Sequence, residues 1–407
     1  MIMRMLGLLL LWTLVLPAAA HAAPTVDGER RILVMLRLAP PHFRSGTGYT
    51  GGYGEDQSLA GRQRIAAGIA RRHGVTLGGN WPMPIIGIDC FIMIVPAGRD
   101  TKDSAEEIAH DRAVRWAQPI ARYQALGADR TDARADPLFA AQPAAKAWHL
   151  AALHRVATGR HVKIAVIDSG IDAAHPDLAG QVAVSRDFVD GHGASAEDHG
   201  TGVAGVIAAK TGNGLGISGI APDARLYAMR ACWQPARAPT VCDTLSLAKA
   251  IALAVEQRVD IINLSLGGPA DRLIATLLKV GMARGIAVVA AFDTTNAGGF
   301  PASLDGVIAV SGSPVEGLRG PYSAPGRDIP TTQPGRRFYL VSGASYAAAE
   351  VSGLLALVRE KRGSGVGARN LVSARVAGGE IDGCATLLGK SPACDAVGGG
   401  PGTRGLR

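Results

Sequence analysis

The chain has 407 residues, 47% of them apolar and 19% charged, with a formal net charge of +8. That length and apolar content suffice for a sizeable core and for two or three domains. The basic residues are scattered, without a basic and aromatic run, which excludes an obvious nucleic-acid site, and the spacings of the five cysteines give no support to a Cys/His metal centre.

In chain order, residues 1–22 read as a secretory signal peptide. Arg4 gives a positive start, 5–16 is apolar apart from Thr13, and Ala20-His21-Ala22 is a small-x-small cleavage site. The stretch is short for a membrane span and no later one is long and apolar enough, so the chain is expected to be secreted or periplasmic, with no membrane association after cleavage. Residues 32–36 read as a strand. Residues 62–72 read as a helix, with Ile65 and Ile69 four apart and His73-Gly74 ending it, and 85–95 as strand material. Cys90, inside that apolar run, is expected to be a buried free thiol. Ser104-Ala105-Glu106-Glu107 is a capping-box signature that predicts a second helix opening there, and 114–119 a last short strand. This β-α-β-α-β layout marks a small α+β domain over 30–125, followed by a linker and processing region over 126–147, of which 128–136 is polar and Ala/Arg-rich.

From residue 148 the strand and helix patterns alternate. Apolar runs at 164–167, 226–230, 261–265, 286–291 and 307–310 read as buried strands. Residues 245–255 and 271–284 read as helices, the second stopped by Gly285. Such alternation predicts an α/β domain over 148–362 with a parallel sheet and helices on both faces. A C-terminal extension follows at 363–397, then a Gly/Arg-rich tail at 398–407 too polar to pack. Cys232 and Cys242 bracket one short loop and Cys384 and Cys394 another, so two local disulfides are the simplest pairing, in keeping with export.

Three side chains stand where elements begin or end. Asp168 follows the 164–167 strand, with Ser169-Gly170 turning the chain away. His199 precedes Gly200-Thr201-Gly202 and an Ala/Val/Ile-rich helix. Ser345 precedes the apolar stretch 347–358, at a helix N-terminus whose free N–H groups favour developing negative charge. Taken singly, each has a plainer reading: a turn residue, a satisfied histidine, an N-cap. Taken together they form an Asp/His/Ser set in an order that differs from those of two other common serine hydrolase scaffolds.

The segments IAVIDSGID around Asp168, EDHGTGVAGVIAA around His199 and SGASYAAAEVSGLLAL around Ser345 resemble those of the subtilases, the subtilisin-like serine proteases. So do HPDL at 175–178, NGLGISGIAPDARLYAMR at 213–230, INLSLGG at 262–268 and GFPASLDGVIAVSG at 299–312. The resemblance implies a three-layer α/β peptidase domain preceded by a ferredoxin-like propeptide that assists folding and occupies the cleft until cleaved. It implies Ser345 as nucleophile, His199 as general base and then acid, and Asp168 as the orienting carboxylate. It also implies that Ser265-Leu266-Gly267 pairs with an extended substrate backbone, although that segment satisfies a plain buried strand and Gly turn as well. The implied partners are a protein or peptide substrate and the chain's own propeptide, the implied state is a monomer, and no cofactor is needed for the chemistry. Structural calcium is a family habit, but no acidic cluster here is distinctive enough to place a site. The expected protein is a secreted serine endopeptidase made as a preproprotein.

The sequence departs from the family pattern at the oxyanion hole. Where the family carries an Asn that supplies half of it, ungapped alignment places Thr294, with Asn296 two residues on. Either side chain has a donor to offer. Loss of that Asn costs subtilisin about 10²–10³ in turnover. Ala344 and Ala349-Glu350 also depart from the usual residues around the nucleophile, and Glu350 reads as a solvated surface charge. The replaced oxyanion-hole Asn motivates an alternative: a secreted pseudoprotease that keeps the cleft for peptide binding with weak or no turnover.

Overall fold

The structure is a computed structural model, which describes residues 30–36, 53–125, 128–132, 138–235, 239–296, 298–315, 320–363, 365–373 and 379–389. The expected signal peptide, Cys394 and the C-terminal tail lie outside the described residues.

The first unit runs β1 (Arg31–Leu36), α1 (Tyr53–Arg72), β2 (Thr76–Met83), β3 (Ile88–Ile94), α2 (Thr101–Ala109) and β4 (Val114–Pro119). Its sheet is antiparallel in the order β2-β3-β1-β4, a split βαβ of the ferredoxin-like kind. The strand β2 is absent from the sequence reading because Gly78, Gly79 and Pro82 break its pattern. The second helix opens earlier than expected. Asp100 is the N-cap, its carboxylate accepting the N–H groups of Lys102 and Asp103, while Ser104 lies inside the helix and donates to the Asp100 carbonyl at 2.6 Å. Period two sorts β1 between two cores: Ile32, Val34 and Leu36 pack under α1 and α2, and Leu33 and Met35 face the next domain.

The chain then forms β5 (Arg122–Ala125), β6 (Ala128–Asp132), α3 (Pro143–Ala147) and α4 (Leu150–His154). The expected linker is therefore partly paired strand. The α/β domain follows with β7 (Lys163–Asp168), β8 (Val182–Asp187), α5 (Asp198–Ala208), β9 (Arg225–Arg230), β10 (Cys232–Trp233), β11 (Val241–Asp243), α6 (Thr244–Glu256), β12 (Ile261–Leu264), β13 (Leu266–Gly267) and α7 (Arg272–Ala283). It continues through β14 (Ala287–Ala291), β15 (Ile308–Ser311), β16 (Tyr322–Ser323), β17 (Ile329–Gln333), β18 (Arg337–Ser342), α8 (Ala344–Arg362), β19 (Gly379–Glu380) and α9 (Gly383–Leu388).

Eight strands form one parallel sheet in the order β19-β16-β15-β14-β12-β7-β9-β8. Ile164 and Val166 of β7 face α5 and α8, and Ala165 and Ile167 face α6 and α7, so the central strand is apolar on both sides as the sequence reading expects. Helix α8 is buried along its whole length from Ser345 to Val358, which is why its sequence shows almost no polar face. Truncating one of its fully buried leucines, Leu355→Ala, falls in the class that costs about 2–5 kcal/mol. The C-terminal extension is no separate body. Its β19 adds to the sheet edge, and the Trp148 indole donates to the Ile381 carbonyl at 3.0 Å. Cys232 and Cys242 form the expected disulfide, Cys384 is disulfide-bonded, and Cys90 is free and buried, its thiol pushed up to about 12 chiefly by burial.

Candidate active site

Parallel strands end together at one edge of the sheet, and the loops leaving that edge carry the side chains of interest. Asp168 is the last residue of β7, in register with Arg230 on β9. One of its oxygens, Oδ1, accepts the Ser169 N–H at 2.7 Å and lies 2.7 Å from His199 Nδ1. The carboxylate therefore holds the imidazole proton on Nδ1 and turns the lone pair of Nε2 outward. Nε2 is itself buried and has no partner among the described residues.

His199 lies in the first turn of α5, whose start packs tightly on the loop after Asp168. The Gly200 N–H donates to Ser169 Oγ at 3.0 Å, and a Cβ on Gly200 would collide with the Ser169 carbonyl. Glu197, two residues before the histidine, fastens the same two segments from the other side. Its N–H donates to the Gly170 carbonyl at 2.8 Å and its carboxylate accepts the Gly170 N–H at 2.7 Å and the Gln234 N–H at 2.9 Å. Arg230, almost fully buried, balances that charge with Nε 3.3 Å from Glu197 Oε2 and Nη1 2.9 Å from Asp187 Oδ2. Removing Arg230 would leave the Glu197 carboxylate buried without a counter-charge.

Ser345 is the second residue of α8, after the Gly343 N-cap, so it is not the cap itself. It is fully buried, and its hydroxyl donates to the Ser265 carbonyl at 3.0 Å rather than to His199. The next residue, Tyr346, places its ring 5.7 Å from the His199 ring, so the start of α8 stands beside the imidazole. Asp168 and His199 are thus joined directly, and Ser345 is joined to Ser265. Thr294 and Asn296 are exposed in the turn between Asp293 and Gly298, where Asp293 Oδ1 accepts both the N–H and the hydroxyl of Thr295.

Glu350 does not match its expected place at the surface. It is 2% exposed on the buried helix, and its carboxyl is held well above the ordinary range by burial. Among the described residues, no group of three or more His, Cys, Asp or Glu side chains converges as a metal set. The buried Asp177 carboxylate is bonded to the Asn213 amide and the Ile217 N–H.

Beside Ser345 runs a cleft filled by this chain's own β5. It lies antiparallel between β13, with Leu266 opposite Ala125 and Gly267 opposite Gln124, and β11, with Cys242 opposite Tyr123. Tyr123 is fully buried: a Cβ on Gly268 would run into its ring, Phe300 lies 6.2 Å away, and burial together with the nearby Asp271 carboxylate raises the phenol's pKa and keeps it neutral. On the far side, Ala128 of β6 pairs with Ser342 of β18, three residues before Ser345. The second wall β11, the Tyr123 pocket and the Glu197–Arg230 pair are missing from the sequence reading. The Cys232/Cys242 loop was the only sequence trace of the wall, and a buried ion pair leaves no local pattern.

The family model of the "Subtilase family" matches residues 159–375, more than half of the chain. The chain belongs to the subtilase family. It is 35% identical over 224 residues to the major intracellular serine protease of Bacillus subtilis (strain 168), covering 49% of this chain and 69% of that one. It is also 35% identical over 229 residues to subtilisin E of the same organism, covering 50% of this chain and 57% of that one. In fold, this subtilase matches the crystal structure of fervidolysin from Fervidobacterium pennivorans, described as a keratinolytic enzyme related to subtilisin. The TM-score is 0.61 at 22% identity, over 82% of this chain and 55% of that one. Family membership makes this subtilase a serine-type endopeptidase.

Proposed function

We propose that the chain is an exported, self-processing endopeptidase that works through Asp168, His199 and Ser345. The observation that carries this reading is the 2.7 Å Asp168–His199 contact at the mouth of a cleft that already holds an extended peptide segment. In the reaction the Ser345 hydroxyl swings from the Ser265 carbonyl to His199 Nε2, which takes its proton as the oxygen attacks a peptide carbonyl. Asp168 stabilises the imidazolium. The proton passes to the leaving amine, and water then hydrolyses the acyl-enzyme by the same steps. The N-terminus of α8 favours the developing oxyanion, with Thr294 or Asn296 as the candidate second donor.

Residues 30–125 act as a propeptide. Their strand β5 occupies the substrate position, and the bonds between Ala125 and Ala128 are the ones flanked by β5 and β6 on either side of Ser345. Burial of Tyr123 supports a preference for a large aromatic side chain at the corresponding substrate position. The disulfide and the 1–22 segment support export. The exposure of Thr294 and Asn296 is the observation favouring a pseudoprotease instead.

The test is expression from Ala23 beside a Ser345→Ala variant, followed by intact mass and hydrolysis of casein. The expected outcome is a parent cut between Ala125 and Ala128 that degrades casein, and a variant that stays full length and inert. A folded, disulfide-intact parent that is as inert as the variant overturns the peptidase reading in favour of the pseudoprotease.

A further inference from the structure

Four buried polar side chains link the nucleophile to the strand beneath it, and only the last of them belongs to the Asp/His/Ser set. Ser352 follows Ser345 by two helical turns, so both face β12 from the same side of α8. The Ser352 hydroxyl donates to Asn263 Oδ1 at 2.9 Å, the Asn263 amide donates to Ser265 Oγ at 2.9 Å, and the Ser265 hydroxyl donates to the Ser345 carbonyl at 2.8 Å. The Ser345 hydroxyl donates back to the Ser265 carbonyl at 3.0 Å. All four residues are 0% exposed.

The chain of donors has one direction. Ser352 has a single proton to give, and giving it to the Asn263 oxygen turns the amide N–H₂ toward Ser265. Ser265, supplied with that donor, spends its own proton on the nucleophile's carbonyl. With β5 in the cleft all four are shut off from solvent, so each group is satisfied by its neighbours, and a chain of this length inside an otherwise apolar layer is costly to break. It ends at the junction that matters for geometry. Ser265 immediately precedes Leu266-Gly267, the strand on which β5 lies, and it is bonded twice to Ser345, so it sets the offset between the peptide backbone and the attacking oxygen.

We propose that Ser352 and Asn263 are positioning residues of this peptidase, acting through Ser265 to hold Ser345 in register with the substrate strand; this rests on the endopeptidase reading above. Neither residue touches the substrate.

The test uses the full chain and its processed form with Ser352→Ala, Ser352→Thr and Asn263→Leu. The Leu side chain is close to Asn in size but neither accepts from Ser352 nor donates to Ser265. For a quenched-fluorescence peptide of sequence 120–131, Ser352→Ala is expected to lower kcat about 3- to 10-fold, the worth of one hydrogen bond, with KM within about twofold. Ser352→Thr, which keeps the hydroxyl, restores kcat, and Asn263→Leu, which removes both of its bonds, lowers it further. A Ser352→Ala kcat within about twofold of the parent, or a loss carried by KM, overturns the relay and leaves the peptidase reading standing. A parent with no Ser345-dependent hydrolysis overturns the peptidase reading. The relay is then judged by hydrogen exchange at the amides of residues 346–348, where faster exchange in Ser352→Ala than in Ser352→Thr supports it and equal exchange overturns it.

Discussion

Glu350 occupies the same buried helix as Ser345 with its carboxyl out of water and Oε2 unpartnered among the described residues. Burial disfavours the charged form, so the native state keeps its proton to a pH well above the ordinary carboxylate range. The sign follows from linkage. The unfolded chain ionises near that ordinary value while the folded one does not, so the group's contribution to stability is complete below it and is lost as pH rises toward the folded value. Glu350→Gln, neutral at every pH, should therefore raise Tm more at pH 8 than at pH 5. Calorimetry in a Ser345→Ala background measures this without self-cleavage. An equal change in Tm at both pH values would show that Glu350 ionises freely in the native state. The sequence reading placed this residue at the surface because a lone Glu in an apolar helix usually points to water. Only the packing of α8 between α5 and the sheet removes every solvated direction.

Among the elements, the hairpin β10–β11 is this chain's own contribution to the cleft. Its strands pair Cys232 with Cys242 directly, and β11 then pairs with β5. A disulfide closing a loop of this size contributes about 2–3 kcal/mol in the chain-entropy model. Because the hairpin bears on the peptide and not on the triad, the Cys232→Ser/Cys242→Ser protein should bind peptide more weakly at nearly unchanged turnover. The expected result is KM up about 3- to 10-fold and kcat within about twofold; an unchanged KM would mean that β11 keeps its place without the covalent link. The elements themselves were largely legible. Each predicted strand of the parallel sheet and both helices between them are present, because apolar runs and stop signals such as Gly285 act locally. The misses at β2 and β6 share a cause, and the α2 cap has its own. Thr76–Met83 and Ala128–Asp132 become strands only because a neighbour offers an edge, and Asp100 displaces Ser104 because its carboxylate reaches two N–H groups at once.

At the scale of the whole molecule, the N-terminal sheet seats Leu33, Met35, Ile88 and Trp116 against α6 and α7 in one continuous apolar cluster. Polar contacts fix its orientation. The Gln118 amide donates to Asp271, the Ala121 N–H donates to Thr244 Oγ1 at 2.7 Å, and the Arg272 guanidinium lies 4.5 Å from the centre of the Trp116 ring. Tyr123 is the anchor where that domain enters the cleft. In the Ser345→Ala background, Tyr123→Ala removes a fully buried aromatic, a change worth about 3–5 kcal/mol, and should free β5. Added trypsin should then cut after Arg122 about tenfold faster or more, since cleavage tracks the population of the open form. A rate equal to the parent's would show that the N-terminal sheet alone holds the segment in place.

The sequence by itself determined the family, the α/β class, the candidate triad, the disulfide loop and the small α+β domain ahead of the peptidase. Each of these is written in short segments whose residues act on near neighbours: apolar periodicity, caps, glycine turns and contiguous motifs. Only the tertiary structure decided that β5 fills the cleft, that Glu350 is buried, and that Ser352 and Asn263 reach the nucleophile through Ser265. Those facts depend on strand register and on which helix face meets which strand, and both are settled by contacts between residues tens to hundreds of positions apart, where no local pattern records the partner.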